Sequence, residues 1–213
     1  MSDGRLPEFF VVAPSGPGTW FADSHDGQRR YEEFVTRDLR LEIESRYRVL
    51  AAPESRGITG ISMGGYAAFR IALKHPHLYG SVSSLSGALI PFGPADVPRY
   101  SWVTRWSLKR VFGSPSGDNS LAANDVWEIL LHVCFDPSPF EANLRAGTED
   151  VYRLDRVAAL FGSLLNRHGV STSVILEPGG HDWTYWSGAM FSIAEWHAQR
   201  FTYDRQSGRT NDR

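Results

Sequence analysis

A serine, a histidine and several acids stand in contexts that could combine into nucleophilic chemistry. Ser62 lies in Gly60-Ile61-Ser62-Met63-Gly64, a G-x-S-x-G pentad between a β-branched stretch and a run of small apolar residues. In a nucleophile elbow a strand turns sharply into a helix, and the serine at the strained apex keeps its hydroxyl exposed. Glycines at 60 and 64 are expected to remove side chains that would collide as the two backbones cross. The Met63 amide would open the helix and serve as a donor to an oxyanion, helped by the positive end of the helix dipole. An ordinary Gly-rich turn looks the same, so the pentad needs partners elsewhere in the chain.

A serine hydroxyl is a poor nucleophile until a base takes its proton. Six of the seven histidines have ordinary settings. His25 lies in a polar loop, His75 and His77 flank Pro76, and His132 sits in an apolar stretch. His168 is near a helix end, and His197 belongs to the last helix. His181 differs, because it follows the apolar Val174-Ile175-Leu176 and then Pro178-Gly179-Gly180. A strand ending in Gly-Gly leaves the next side chain on a loop above the sheet edge. An orienting acid should fall between Ser62 and His181 in the order expected of this architecture. Asp150 is the first candidate and Glu149 the second, both in the turn after a strand-like 142–147. Asp155 reads as an acid in a first helical turn, and Asp96, Asp118 and Asp125 as capping or turn residues.

The elements that must hold these residues alternate. Strands are predicted at 9–13, 57–61, 80–87, 142–147 and 171–176. Helices are predicted at 31–47, from the elbow to 75, at 152–168 and at 185–201. The first carries Phe34, Val35, Leu39, Ile43 and Tyr47 at helical spacing. This pattern predicts an α/β fold with a mostly parallel sheet flanked by helices. Residues 88–141 fit the alternation poorly and read as a cap-like insertion or a packed helical excursion. Trp20, Trp183 and Trp186 are candidate substrate-binding residues, with core packing as the competing use of their indoles.

Three segments together resemble the putative esterase family: Gly-Ile-Ser-Met-Gly-Gly-Tyr-Ala-Ala at 60–68, Ala-Gly-Thr-Glu-Asp at 146–150, and Gly-Gly-His-Asp-Trp at 179–183. That group includes esterase D, feruloyl and related carboxylesterases, and the mycobacterial mycolyltransferase antigens. Residues 5–14 and Tyr31-Glu32-Glu33-Phe34 are similar to it as well. The resemblance implies an α/β-hydrolase fold with Ser62 as nucleophile, Asp150 as acid and His181 as base. It also implies earlier strands ending in a Leu-His-Gly-type loop that supplies a second oxyanion amide. No His-Gly follows an apolar strand before Ser62. The expectation is therefore a chain shortened at its N-terminus, with missing sheet strands and an oxyanion site served by Met63 alone.

Length and composition suit one domain over 1–203, followed by a disordered tail at 204–213. The chain has 213 residues, 42% hydrophobic and 22% charged, and a net charge of −2, which gives no reason to expect nucleic acid or an anionic membrane. No apolar run is long enough to span a bilayer, and no signal peptide is visible, so a cytoplasmic location is expected. Cys134 is the only cysteine, which excludes an internal disulfide. No Gly-Lys-Ser/Thr follows a glycine pair, and no cofactor or metal is expected. The expected partner is a small-molecule carboxylic ester or thioester, hydrolysed through an acyl-enzyme. Alternatives are acyl transfer of the mycolyltransferase type and a catalytically impaired binding protein.

Overall fold

Among the described residues, four parallel strands form the sheet of the computed structural model, in the order β1 (Gly57–Ile61), β2 (Ser81–Leu85), β3 (Glu141–Gly147) and β4 (Thr172–Glu177). The structure describes residues 6–16, 18–93, 96–113, 121–133, 135 and 137–203. Asp118, Cys134 and the tail at 204–213 lie outside them, as do parts of 88–141. Register runs Ile61 to Leu85, Leu85 to Arg145, and Gly147 to Glu177, so the strands' carboxyl ends share one edge. In chain order the α-helical segments are α1 (Tyr31–Glu33), α2 (Arg40–Arg46), α3 (Met63–Lys74), α4 (Trp102–Phe112), α5 (Val126–His132), α6 (Leu154–Arg167) and α7 (Trp183–Ala198).

The alternation of β2 explains its layers. All five of its residues are buried. Ser81, Ser83 and Leu85 face α7: Leu85 packs with Ala189 and Ile193, and His197 bonds both Ser81 and Ser83. Ser84, on the other face, points to the elbow helix α3, where a Cβ on Gly65 would meet its hydroxyl. The main core lies on that side, with Phe69 of α3 edge-on to Phe161 of α6 and Trp127 of α5 against the same Phe161. Leu108, Val111 and Phe112 of α4 join it. The segment between β2 and β3 is thus packed into the principal core through α4 and α5.

Three expectations change. Residues 9–13 form no strand: they are irregular and largely exposed, with Phe10 against Tyr47 and Phe9 against Phe201. A strand requires a neighbour to complete its ladder, and the elbow strand β1 pairs only with β2 among the described residues. The helix expected at 31–47 contains a π-helical stretch, Phe34–Leu39, between α1 and α2. The last helix begins at Trp183 and ends at Ala198.

Candidate active site

Ser62 sits between β1 and α3 with φ 53° and ψ −116°, a strained conformation for a residue with a side chain. Its amide donates to the Leu85 carbonyl at 2.9 Å, and its own carbonyl accepts from Ala88 N at 2.9 Å, so the apex is bolted to the end of β2. The glycine requirement is met at positions 60 and 65. A Cβ at Gly60 would lie 2.2 Å from the Gly64 carbonyl, and one at Gly65 would lie 2.3 Å from Ser84 Oγ. Gly64, expected to share this role, would meet only Phe21 at 4.0 Å. Met63 is the first residue of α3, where amides have no carbonyl partner within the helix.

The other two side chains arrive on stitched loops. A Cβ at Gly147 would lie 2.1 Å from the Gly179 carbonyl, so the ends of β3 and β4 approach as closely as backbones can. Thr148 N donates to Glu177 O and Glu149 N to Gly179 O, both at 2.9 Å. Gly179 holds φ 152°, which glycine tolerates. The turn buries Asp150 to 1% exposure and leaves Glu149 in solvent. Tyr152 N donates to Asp150 Oδ1 at 2.8 Å, fixing the carboxylate.

These loops bring three of the sequence-derived residues together. Ser62 Oγ lies 3.0 Å from His181 Nε2, and His181 Nδ1 lies 2.8 Å from Asp150 Oδ2. A carboxylate oxygen accepts, so Nδ1–H donates to Asp150 and Nε2 is left to accept from the serine hydroxyl. Asp182 caps α7, accepting from Tyr185 N at 3.0 Å, which accounts for the acid after His181.

The tryptophans divide. Trp186 stands edge-to-face with His181 at 4.9 Å, and Trp183 against Trp186 at 5.4 Å with 70% exposure. Trp20 has another setting. It is 8% exposed, packs on Tyr66 and Phe92, and donates from Nε1 to Ser107 Oγ, so its surface is used by the core. Three features escaped the sequence reading. Tyr152 lies 5.0 Å from the His181 ring, and Trp186 Nε1 donates to Ser86 Oγ at 3.2 Å. Fully buried Arg70 of α3 bonds Glu32, Asn124 Oδ1 at 2.8 Å and the Phe21 carbonyl at 2.7 Å. The family-like Tyr-Glu-Glu-Phe segment was a signal for Glu32; nothing local marked the rest. A cleft of about 560 Å³ lies beside the His181 loop, lined by Glu149, Glu177, Asp182 and Tyr185 among others. Ser62, Asp150 and His181 do not line it.

Comparison with known proteins decides the family. Residues 13–197 match the family described as "Putative esterase". The chain belongs to that family. It is 28% identical over 194 residues to an acetyl esterase of Caldicellulosiruptor saccharolyticus, covering 87% of this chain and 70% of that protein. Among solved structures it resembles FphF, a fluorophosphonate-binding serine hydrolase of Staphylococcus aureus, at 21% identity and TM-score 0.70, covering 87% of this chain and 69% of that one. It also resembles MPT51 of Mycobacterium tuberculosis at 14% identity and TM-score 0.72, covering 87% and 74%. A ferulic acid esterase, at 25% identity and TM-score 0.60, is covered to 65% of its length by 85% of this chain. The fold is that of the α/β-hydrolase esterases, and ester hydrolysis is the general chemistry this membership supports. Among the described residues no helix is long and apolar enough to cross a membrane.

Proposed function

We propose that this member of the family is a serine esterase that cleaves carboxylic esters through an acyl-enzyme on Ser62. The observation that carries the reading is the unbroken chain from Ser62 Oγ through His181 to Asp150, at 3.0 and 2.8 Å. Ser62 Oγ attacks the acyl carbonyl while His181 Nε2 takes its proton. The charge that develops on the imidazole faces Asp150, whose burial keeps water from competing for Nδ1–H. The carbonyl oxygen becomes an oxyanion beside the Met63 amide at the start of α3. His181 then protonates the leaving alkoxide. Water attacks the acyl group with the same histidine as base, and Ser62 is released.

Similarity to an acetyl esterase makes a short acyl group the first to test. The wild-type chain should hydrolyse p-nitrophenyl acetate, and Ser62→Ala should lose that turnover. Turnover undiminished in Ser62→Ala would overturn the reading.

A further inference from the structure

We propose that Trp186 is a positioning residue: it holds the His181 imidazole in the rotation that serves Ser62, and is itself held there by Ser86. The proposal rests on the serine-esterase reading above.

His181 lies between Gly180 and Asp182, the cap of α7, so its backbone is placed while the rotation of its ring is left to side-chain contacts. Its hydrogen bonds run from Nδ1 to Asp150 and from Nε2 to Ser62. They leave tilt about the line joining the two nitrogens unconstrained. Once Ser62 is acylated its hydroxyl is gone, and only Asp150 would hold the ring. Trp186 supplies a further constraint, with its ring 4.9 Å from the imidazole at 85°. Tyr152, on the acid loop, makes a similar contact at 5.0 Å and 83°. Edge-to-face contacts of this kind restrict tilt because the attraction depends on ring orientation.

The indole is not free to follow the histidine. Its Nε1–H donates to Ser86 Oγ at 3.2 Å. Ser86 follows β2 directly and holds φ 46°, a conformation a non-glycine residue rarely adopts. Ser86 N donates to the Arg145 carbonyl at 2.7 Å, and its neighbour Leu85 accepts from Ser62 N at 2.9 Å. Two adjacent strands therefore each end in a serine at positive φ, Ser62 after β1 and Ser86 after β2. One presents its hydroxyl to His181 Nε2 and the other to the indole that abuts the same ring. The route Ser86–Trp186–His181 ties the imidazole to the sheet end that carries the nucleophile, independently of Asp150. Trp186 has its polar atom engaged in this way, whereas Trp183 stands exposed beside it.

The test uses the full chain with p-nitrophenyl acetate and four variants: Trp186→Phe, Ser86→Ala, their double, and Trp186→Ala. Trp186→Phe keeps a ring on His181 but cannot donate to Ser86. Both single changes should lower kcat by roughly tenfold with KM little changed, and the double should be no worse than Trp186→Phe, because both break one bond. Trp186→Ala should lower kcat by about 10²-fold, the cost of a misplaced catalytic group. The downfield proton resonance of His181 Nδ1–H should persist in wild type and in Ser62→Ala but broaden in Trp186→Ala, with Tm held in Trp186→Phe. Wild-type kcat in both single variants, or an effect confined to KM, would overturn the proposal while Ser62→Ala still abolishes turnover. Full turnover in Ser62→Ala would instead remove the esterase reading, and the positioning role with it.

Discussion

Asp150 and Glu149 are adjacent carboxylates with opposite settings. Asp150 is buried, bonded to His181 Nδ1 and braced by Tyr152 N; Glu149 is exposed and lines the neighbouring cleft. Only the former can orient the imidazole. Asp150→Asn should lower kcat by up to about 10⁴, because an amide no longer favours the tautomer with Nδ1–H. Glu149→Gln should leave steady-state turnover close to wild type, and the reverse pattern would make Glu149 the orienting acid in place of Asp150. At this scale the sequence was legible where backbone geometry demands a residue type. Gly60 and the paired glycines before His181 marked the loops, and the position after a strand marked the acid turn. Trp20 was not legible, since an indole near a glycine-rich loop has the same sequence whether it faces substrate or Tyr66 and Phe92.

The elbow is an element defined by a crossing, and the crossing is tight at specific points. Gly60→Ala would drive a methyl group to 2.2 Å from the Gly64 carbonyl carbon and oxygen, both backbone atoms that cannot rotate away. Gly64→Ala meets only the edge of Phe21 at 4.0 Å. Thermal melts should show Gly60→Ala destabilised by about 1–3 kcal/mol or more, as for other overpacked sites, and Gly64→Ala little changed. Equal losses at both positions would contradict the described crossing. The strands 57–61, 81–85, 141–147 and 172–177 were readable from short β-branched and small runs. Residues 9–13 look the same in one dimension, yet a strand is a relation between two segments and sequence displays only one of them. The π-helical stretch Phe34–Leu39 was equally hidden, because its apolar spacing is close to that of an α-helix.

Across the molecule, buried polar groups join segments that are distant in sequence. Arg70 gathers Glu32, Asn124 and the Phe21 carbonyl around α3, with partners 38, 54 and 49 residues away, a separation that no local pattern betrays. Burial alone would raise the Glu32 carboxyl pKa, but the hydrogen bond from His75 and the charges of Arg70 and Lys74 outweigh it and hold it well below the usual range. On the other face of the sheet, His197 of α7 bonds Ser81 at 2.7 Å and Ser83 at 3.0 Å. Burial, with Arg200 nearby, pushes its pKa down from 6.5 to about 4. The unfolded chain therefore binds this proton first, so the stabilisation is complete above pH 6.5 and is lost as pH falls toward 4. Between pH 7 and 5 the loss should be about 2 kcal/mol in denaturant titrations, and it should shrink in His197→Gln. An unchanged pH slope in that variant would exclude His197 as its source. In the proposed mechanism the hydrogen-bonded line from Asp150 through His181 to Ser62 makes the serine a nucleophile that carries an acyl group. It is tested most directly by acid-quenching the chain during turnover of p-nitrophenyl acetate and locating the acetyl group by peptide mass spectrometry. The account predicts acetyl on Ser62 in the wild type, none on that peptide in Ser62→Ala, and little in His181→Ala. Turnover with the acetyl group on another residue, or with Ser62 never modified, would contradict it.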